Sequence, residues 1–110
     1  MRLPNYENAI VAESKIVDYL LSQTNEDGKA GFFARFGFAV AEWVVLANML
    51  LAHAAEYEVI RTVTTPHGTK YIVAGRLSTP DGRNPNVRTV WLIEHDQVIA
   101  RLITAYPVKG

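Results

Sequence analysis

Along the first half of this chain apolar residues recur at the three- and four-residue spacings of helices. Along the second half they recur at the two-residue spacing of strands. "ESKIVDYLLS" (13–22) puts Ile16, Val17, Tyr19, Leu20 and Leu21 on one helical stripe, and "QTNEDGK" (23–29) reads as a loop by its polar residues and glycine. "KAGFFARFGF" (29–38) spaces Phe32, Phe33 and Phe36 for burial on one helix face, with Gly37 as its C-cap. The third helix, over about 40–55, is apolar nearly all round, from Trp43 to Leu51. Such a helix belongs in the centre of a fold or in part at an interface between molecules.

From Tyr57 the pattern predicts four strands: "YEVIRTVT" (57–64), "TKYIVAGRL" (69–77), "NVRTVWLIE" (86–94) and "VIARLITAY" (98–106). The separators are too short for parallel crossovers, so the strands form an antiparallel meander. The predicted class is α+β: one domain over 1–110, with helices over 13–55 packed on a four-stranded sheet over 57–106. A further short strand is expected at Ala9–Val11.

Pairing by turn length gives an expected register. A turn at 95–97 sets Glu94 opposite Val98, and therefore Arg88 opposite Thr104, Asn86 opposite Tyr106 and Trp91 opposite Arg101. Asn86, Arg88, Thr104 and Tyr106 then share one face, while Trp91 and Arg101 meet on the other as a cation–π pair. Joining Leu77 to Asn86 through 78–85 places Gly75 opposite Arg88, leaving room for the arginine. The first hairpin has two registers open, according to whether Gly68 closes the Pro66-His67 turn or adds a bulge. Pro107 ends the last strand because it has no N–H for the ladder.

Composition narrows the class. At 110 residues, 49% hydrophobic and 20% charged, the chain can bury one core without staples. It has no cysteine, which excludes disulfides and cysteine-based zinc sites and suits a reducing cytoplasmic setting. The longest apolar stretch (38–55) is interrupted by Glu42, Asn48 and His53 and falls short of the roughly 20 apolar residues of a bilayer span. No membrane association is expected. Net charge is zero, but residues 1–56 carry 4 basic against 7 acidic side chains and residues 57–110 carry 7 against 4. The basic half permits an anionic ligand on the sheet.

His53, His67 and His95 fit no metal-ligand spacing, and no phosphate-cradling glycine loop or nucleophile elbow occurs, so no cofactor is expected. His53, near the end of the buried helix, is expected to be a structural or surface residue, and His95 a solvated turn residue. Trp91 and Tyr71 could stack on bases, but their apolar neighbours favour the core. Cleaving RNA without a metal needs a base or acid near neutral pH, cations for the phosphate and hydroxyl donors to hold it. His67, Lys70, Arg88, Thr104 and Tyr106 supply those types. The plain alternative is a Pro-His-Gly turn beside ordinary solvated strands.

The runs "KIVDYLL", "GKAGFFARFGF", "HGTKYIVAGRL", "PDGRNPNVRTVWLIE" and "RLITAYP" together resemble a small bacterial family of uncharacterised domains, over nearly the whole chain. The Thr-Ala-Tyr-Pro ending is also similar to strands of the barnase/EndoU/colicin/RelE-like ribonuclease toxins, which set N-terminal helices against a curved antiparallel sheet. That resemblance implies a metal-independent ribonuclease module with catalytic His67, Lys70, Arg88, Thr104 and Tyr106. It also implies RNA and a cognate inhibitor as partners. The other expectation is a non-catalytic interaction domain that meets its partner through the third helix or a sheet edge.

Overall fold

The first helical stripe folds as one α-turn, α1 (Glu13–Lys15), that runs into a π-helical stretch, Ile16–Leu20. Ile16 and Leu20, one above the other at i and i+4, are fully buried, and each contributes about 1.5–3 kcal/mol of apolar burial. This computed structural model describes residues 1–22 and 29–108; apart from Lys29, the loop expected at 23–29 lies outside them.

Helix α2 (Lys29–Arg35) stops where the sequence supplies a stop. Gly37 takes φ = 101°, the Phe38 N–H returns to the Phe33 carbonyl (3.3 Å), and the Gly37 N–H returns to that of Ala34 (3.0 Å). This pair of bonds satisfies the orphan carbonyls of the last turn, and the rings of Phe33 and Phe38 meet edge-on across it at 6.3 Å. A 3₁₀ turn (Val40–Glu42) leads into α3 (Trp43–Glu56). Leu46, Ala47, Leu50, His53 and Ala54 form its buried stripe, while Val40, Val44 and Val45 remain exposed. The all-round apolar pattern therefore resolves into a core face and an outer apolar patch.

Strands β1 (Val59–Thr65), β2 (Gly68–Arg76), β3 (Asn86–Glu94) and β4 (Arg101–Pro107) form one antiparallel sheet in the order β1-β2-β3-β4. The α+β meander is as the pattern predicts. The short strand expected at Ala9–Val11 is a single parallel bridge from Ile10 to Arg101 on the outer edge of β4. Pairing ends at Pro107, opposite Val87. Helix α3 packs on β2 and β3. Val73, Val87, Thr89, Trp91 and Ala105 on that side of the sheet are all fully buried. Trp91 and half-buried Tyr71 are therefore core and flank of core, and neither is a stacking platform.

The registers differ from turn counting in an instructive way. The connection after β3 is longer than 95–97: Asp96 adopts a left-handed φ of 65°, and β4 begins only at Arg101, so Leu92 pairs with Arg101 and Trp91 with Leu102. This one-residue shift moves Arg101 to the face opposite Trp91. No Trp91–Arg101 cation–π pair forms; Arg101 instead makes an ion pair with Glu94. A bulge between Val90 and Trp91 then adds a second residue to β4. Beyond it Val90 pairs with Thr104 and Arg88 with Tyr106, two residues from the expected partners. An even shift preserves the face, so Arg88, Thr104 and Tyr106 still lie together.

Between β2 and β3 the shift is odd. Gly75 pairs with Val87, and Ala74 with Arg88. Gly75 therefore faces the helices, where the Tyr57 ring occupies the space a Cβ would need. The room it leaves is for Tyr57 and not for Arg88. In the first hairpin Thr65 pairs with Gly68, so Gly68 closes the Pro66-His67 turn, and Arg61 falls opposite Ile72 on the face of Arg88.

Candidate functional site

The sheet face away from α3 can be read as rows across the strands. One row is Ala74, Arg88 and Tyr106; the next is Arg61, Ile72, Val90 and Thr104; the third is Val63, Lys70, Leu92 and Arg101. The cations of β1 to β4 in these rows face only Glu94 among the acidic strand residues, so the positive balance of the second half is concentrated on this face.

Arg88 is half-buried, and its Nε is fully enclosed with no hydrogen-bond partner among the described residues. An enclosed guanidinium N–H without an acceptor is costly unless something anionic or carbonyl-bearing meets it. Tyr106 is its direct cross-strand neighbour, and Thr104 lies one row away on the same strand. The Thr104 hydroxyl is 3.2 Å from the Tyr19 hydroxyl. Tyr19 comes from the π-helical stretch, and α1 packs beside β4. Single π turns are rare and concentrate at functional positions. Tyr19 thus joins the cluster, although sequence reasoning placed it in the apolar stripe, because neither the π geometry nor the meeting with β4 leaves a mark in the local pattern. Lys15 lies over the same ring, 5.1 Å from its centre.

Of the five residues expected at the site, three gather: Arg88, Thr104 and Tyr106. Lys70 is on their face but opposite Leu92, about 14 Å along the sheet from Arg88 at ~3.4 Å per residue. His67 lies beyond Gly68, which pairs with Glu94, so it sits about 20 Å or more from the Arg88 row. Its turn is held by the Thr65 hydroxyl and by the His95 N–H donating to the His67 carbonyl (3.2 Å). Nothing in the spacing of "TPHGTK" reveals this separation; it follows from the closed turn and the length of β2.

His53 belongs to a different arrangement on the helix side. It is 2% exposed, with Nδ1 3.1 Å from the Thr89 hydroxyl and Nε2 3.1 Å from the Gly75 carbonyl. The Trp91 indole N–H donates to that same Thr89 hydroxyl at 2.8 Å. The carbonyl requires a proton on Nε2, so Nδ1 accepts from Thr89, and every group in the chain is satisfied by a neutral imidazole. Burial holds its pKa below 6.5, opposed in part by the hydrogen bond to Gly75. Of the two roles its helix position allowed, structural or surface, this histidine takes the structural one. Among the described residues no three His, Asp or Glu side chains gather where they could hold a metal ion, and no helix is long and apolar enough to cross a membrane.

A family model described as a domain of unknown function (DUF6883) matches residues 2–109, and the chain belongs to that family. Comparison with curated proteins gave no match. Among solved structures the fold is similar to a chain of a contact-dependent growth inhibition toxin–immunity protein complex from Klebsiella pneumoniae 342. The two are 22% identical with a TM-score of 0.74, over 96% of this chain and 97% of that one. The likeness covers the helices and the sheet together.

Proposed function

We propose that this member of the DUF6883 family is a metal-independent ribonuclease of the toxin type, acting at Arg88, Thr104, Tyr106 and Tyr19. The observation that carries the reading is the enclosed, unpartnered Nε of Arg88, set beside two phenols and a threonine hydroxyl on the cationic sheet face. A phosphodiester is the kind of anionic acceptor that a guanidinium pairs with, and guanidinium–phosphate pairing is charge-assisted. In the reaction the ribose 2′-oxygen attacks phosphorus, the O2′–P bond forms and the P–O5′ bond breaks. The 2′-proton is released, and the 5′-oxygen takes one up. Arg88 neutralises the charge that builds on the phosphoryl oxygens, and the hydroxyls of Tyr106 and Thr104 orient the group and pass protons.

In this reading no imidazole acts. His67 is at the far hairpin end, and His53 is enclosed on the other side of the sheet. Positioned positive charge therefore carries most of the rate. The test is cleavage of a mixed RNA pool in EDTA. Wild type should cut, and Arg88→Ala should lose at least about a hundredfold, the scale for removing one positioned donor to a developing oxyanion. No cleavage by wild type across varied RNAs would sink the proposal.

A cognate inhibitor fits the same reading. The similar solved chain comes from a toxin–immunity protein complex, and Val44 and Val45 of α3, with Val40 of the 3₁₀ turn before it, expose apolar side chains of the kind partner proteins cover. If the protein is instead a non-catalytic interaction domain, substitutions on this patch should abolish its biological effect while Arg88→Ala leaves it intact.

A further inference from the structure

We infer that a groove beside the Arg88 cluster is a nucleobase subsite that selects guanine; the inference rests on the phosphodiester reading above. The groove, about 170 Å³, is lined by Ile10, Leu92, Glu94, Gln97, Ile99 and Arg101. Leu92 and Arg101 are cross-strand partners in the row next to that of Thr104, and rows on one face are about 7 Å apart. A phosphate held by Arg88 and Thr104 therefore leaves its neighbouring base within reach of the groove.

The walls suit a flat aromatic ring. Ile10 stays 54% exposed, yet its backbone is pinned to β4 by the bonds Ile10 N–H to Ala100 (2.9 Å) and Leu102 N–H to Ile10 (3.0 Å). A backbone already held in place spares a ligand the cost of ordering that segment. Leu92, nearly buried, contributes a second apolar surface. The polar end is the ion pair between Arg101 Nη2 and Glu94 Oε1. That contact uses one carboxylate oxygen and one guanidinium nitrogen, leaving Oε2 and the other N–H groups for a ligand.

Guanine is the base that complements both. Its N1–H and N2 amino group are adjacent donors for a carboxylate, and its O6 and N7 are acceptors for a guanidinium. Uracil has a single ring donor and no amino group.

The test is titration of the ¹⁵N-labelled full chain with guanosine 5′-monophosphate, uridine 5′-monophosphate and inorganic phosphate. The guanosine nucleotide should bind about tenfold more tightly than the uridine nucleotide and shift amides of residues 92–101, the scale of one bidentate base contact. Glu94→Gln, at a surface side chain, should keep the spectrum of a folded protein and lose the preference. Equal affinity for the two nucleotides, a preference that survives Glu94→Gln, shifts outside the groove, or no binding would each overturn the inference. The phosphate arm separates the two readings. Phosphate should shift Arg88, Thr104 and Tyr106. If it does so without base discrimination, only the guanine subsite falls. If guanosine selection stands while phosphate leaves those residues unmoved, the ribonuclease reading falls instead.

Discussion

Thr89→Val removes one oxygen from the centre of the His53–Thr89–Trp91 chain while keeping the shape of the side chain. Thr89 is fully buried, and its hydroxyl accepts from Trp91 Nε1 and donates to His53 Nδ1. Valine leaves both groups enclosed and unpaired. The imidazole cannot escape by moving its proton to Nδ1, because Nε2 would then turn a lone pair toward the Gly75 carbonyl. A buried polar group that loses its partner costs about 1–3 kcal/mol, so two cost about 2–6 kcal/mol against a total stability of about 5–15 kcal/mol. Urea denaturation at pH 7.5, read by tryptophan fluorescence, should show a lower midpoint at unchanged slope. Thr64→Val, at an exposed position of β1, should stay within about 0.5 kcal/mol of wild type and serves as the control. If Thr89→Val also lies within 0.5 kcal/mol, the chain is not a coupled structural unit and the argument fails.

The neutral His53 also makes stability depend on pH. Its folded pKa is depressed by burial below the unfolded value of 6.5, so the unfolded chain binds more protons in acid. Its contribution should be complete above pH 6.5 and fall as pH drops through the folded pKa, and His53→Gln should flatten that fall in urea midpoints measured against pH. Gly75→Ala should destabilise by about 1–3 kcal/mol in the same assay, since the new methyl meets the Tyr57 ring close to its attachment point. In the EDTA cleavage assay His67→Ala should retain the wild-type rate; a large loss on His67→Ala would return the histidine to the chemistry. Tyr19→Phe and Thr104→Val should each lower the turnover rate by about one to three powers of ten with little change in RNA affinity, the two losses falling short of additive because the hydroxyls touch each other.

Local patterns along the chain set most of the elements and their order. Period-four apolar stripes, the Gly37 stop and β-branched alternation with Pro and Gly separators are local signals, and local sterics decide them. They placed α2, α3 and all four strands, and they put Arg88, Thr104 and Tyr106 on one face. That last success owed something to parity: the wider turn at Asp96 and the bulge at Val90–Trp91 each moved the register by one residue, and the two shifts together restored the face.

Where a single shift acted alone, at Gly75 and at Arg101, the neighbours came out wrong, because a one-residue slip exchanges the two sides of a strand. Turn conformation and bulges are settled by packing across the whole sheet, so no strand carries them in its own pattern. The same holds for the contacts that join distant segments. Tyr19 reaches Thr104 only because a π-helical stretch lies beside β4, and His53 finds Thr89 and the Gly75 carbonyl only once α3 lies on the sheet. Tertiary structure also separated His67 from the arginine its sequence chemistry suited, since the length of β2 carries the turn to the opposite end of the sheet.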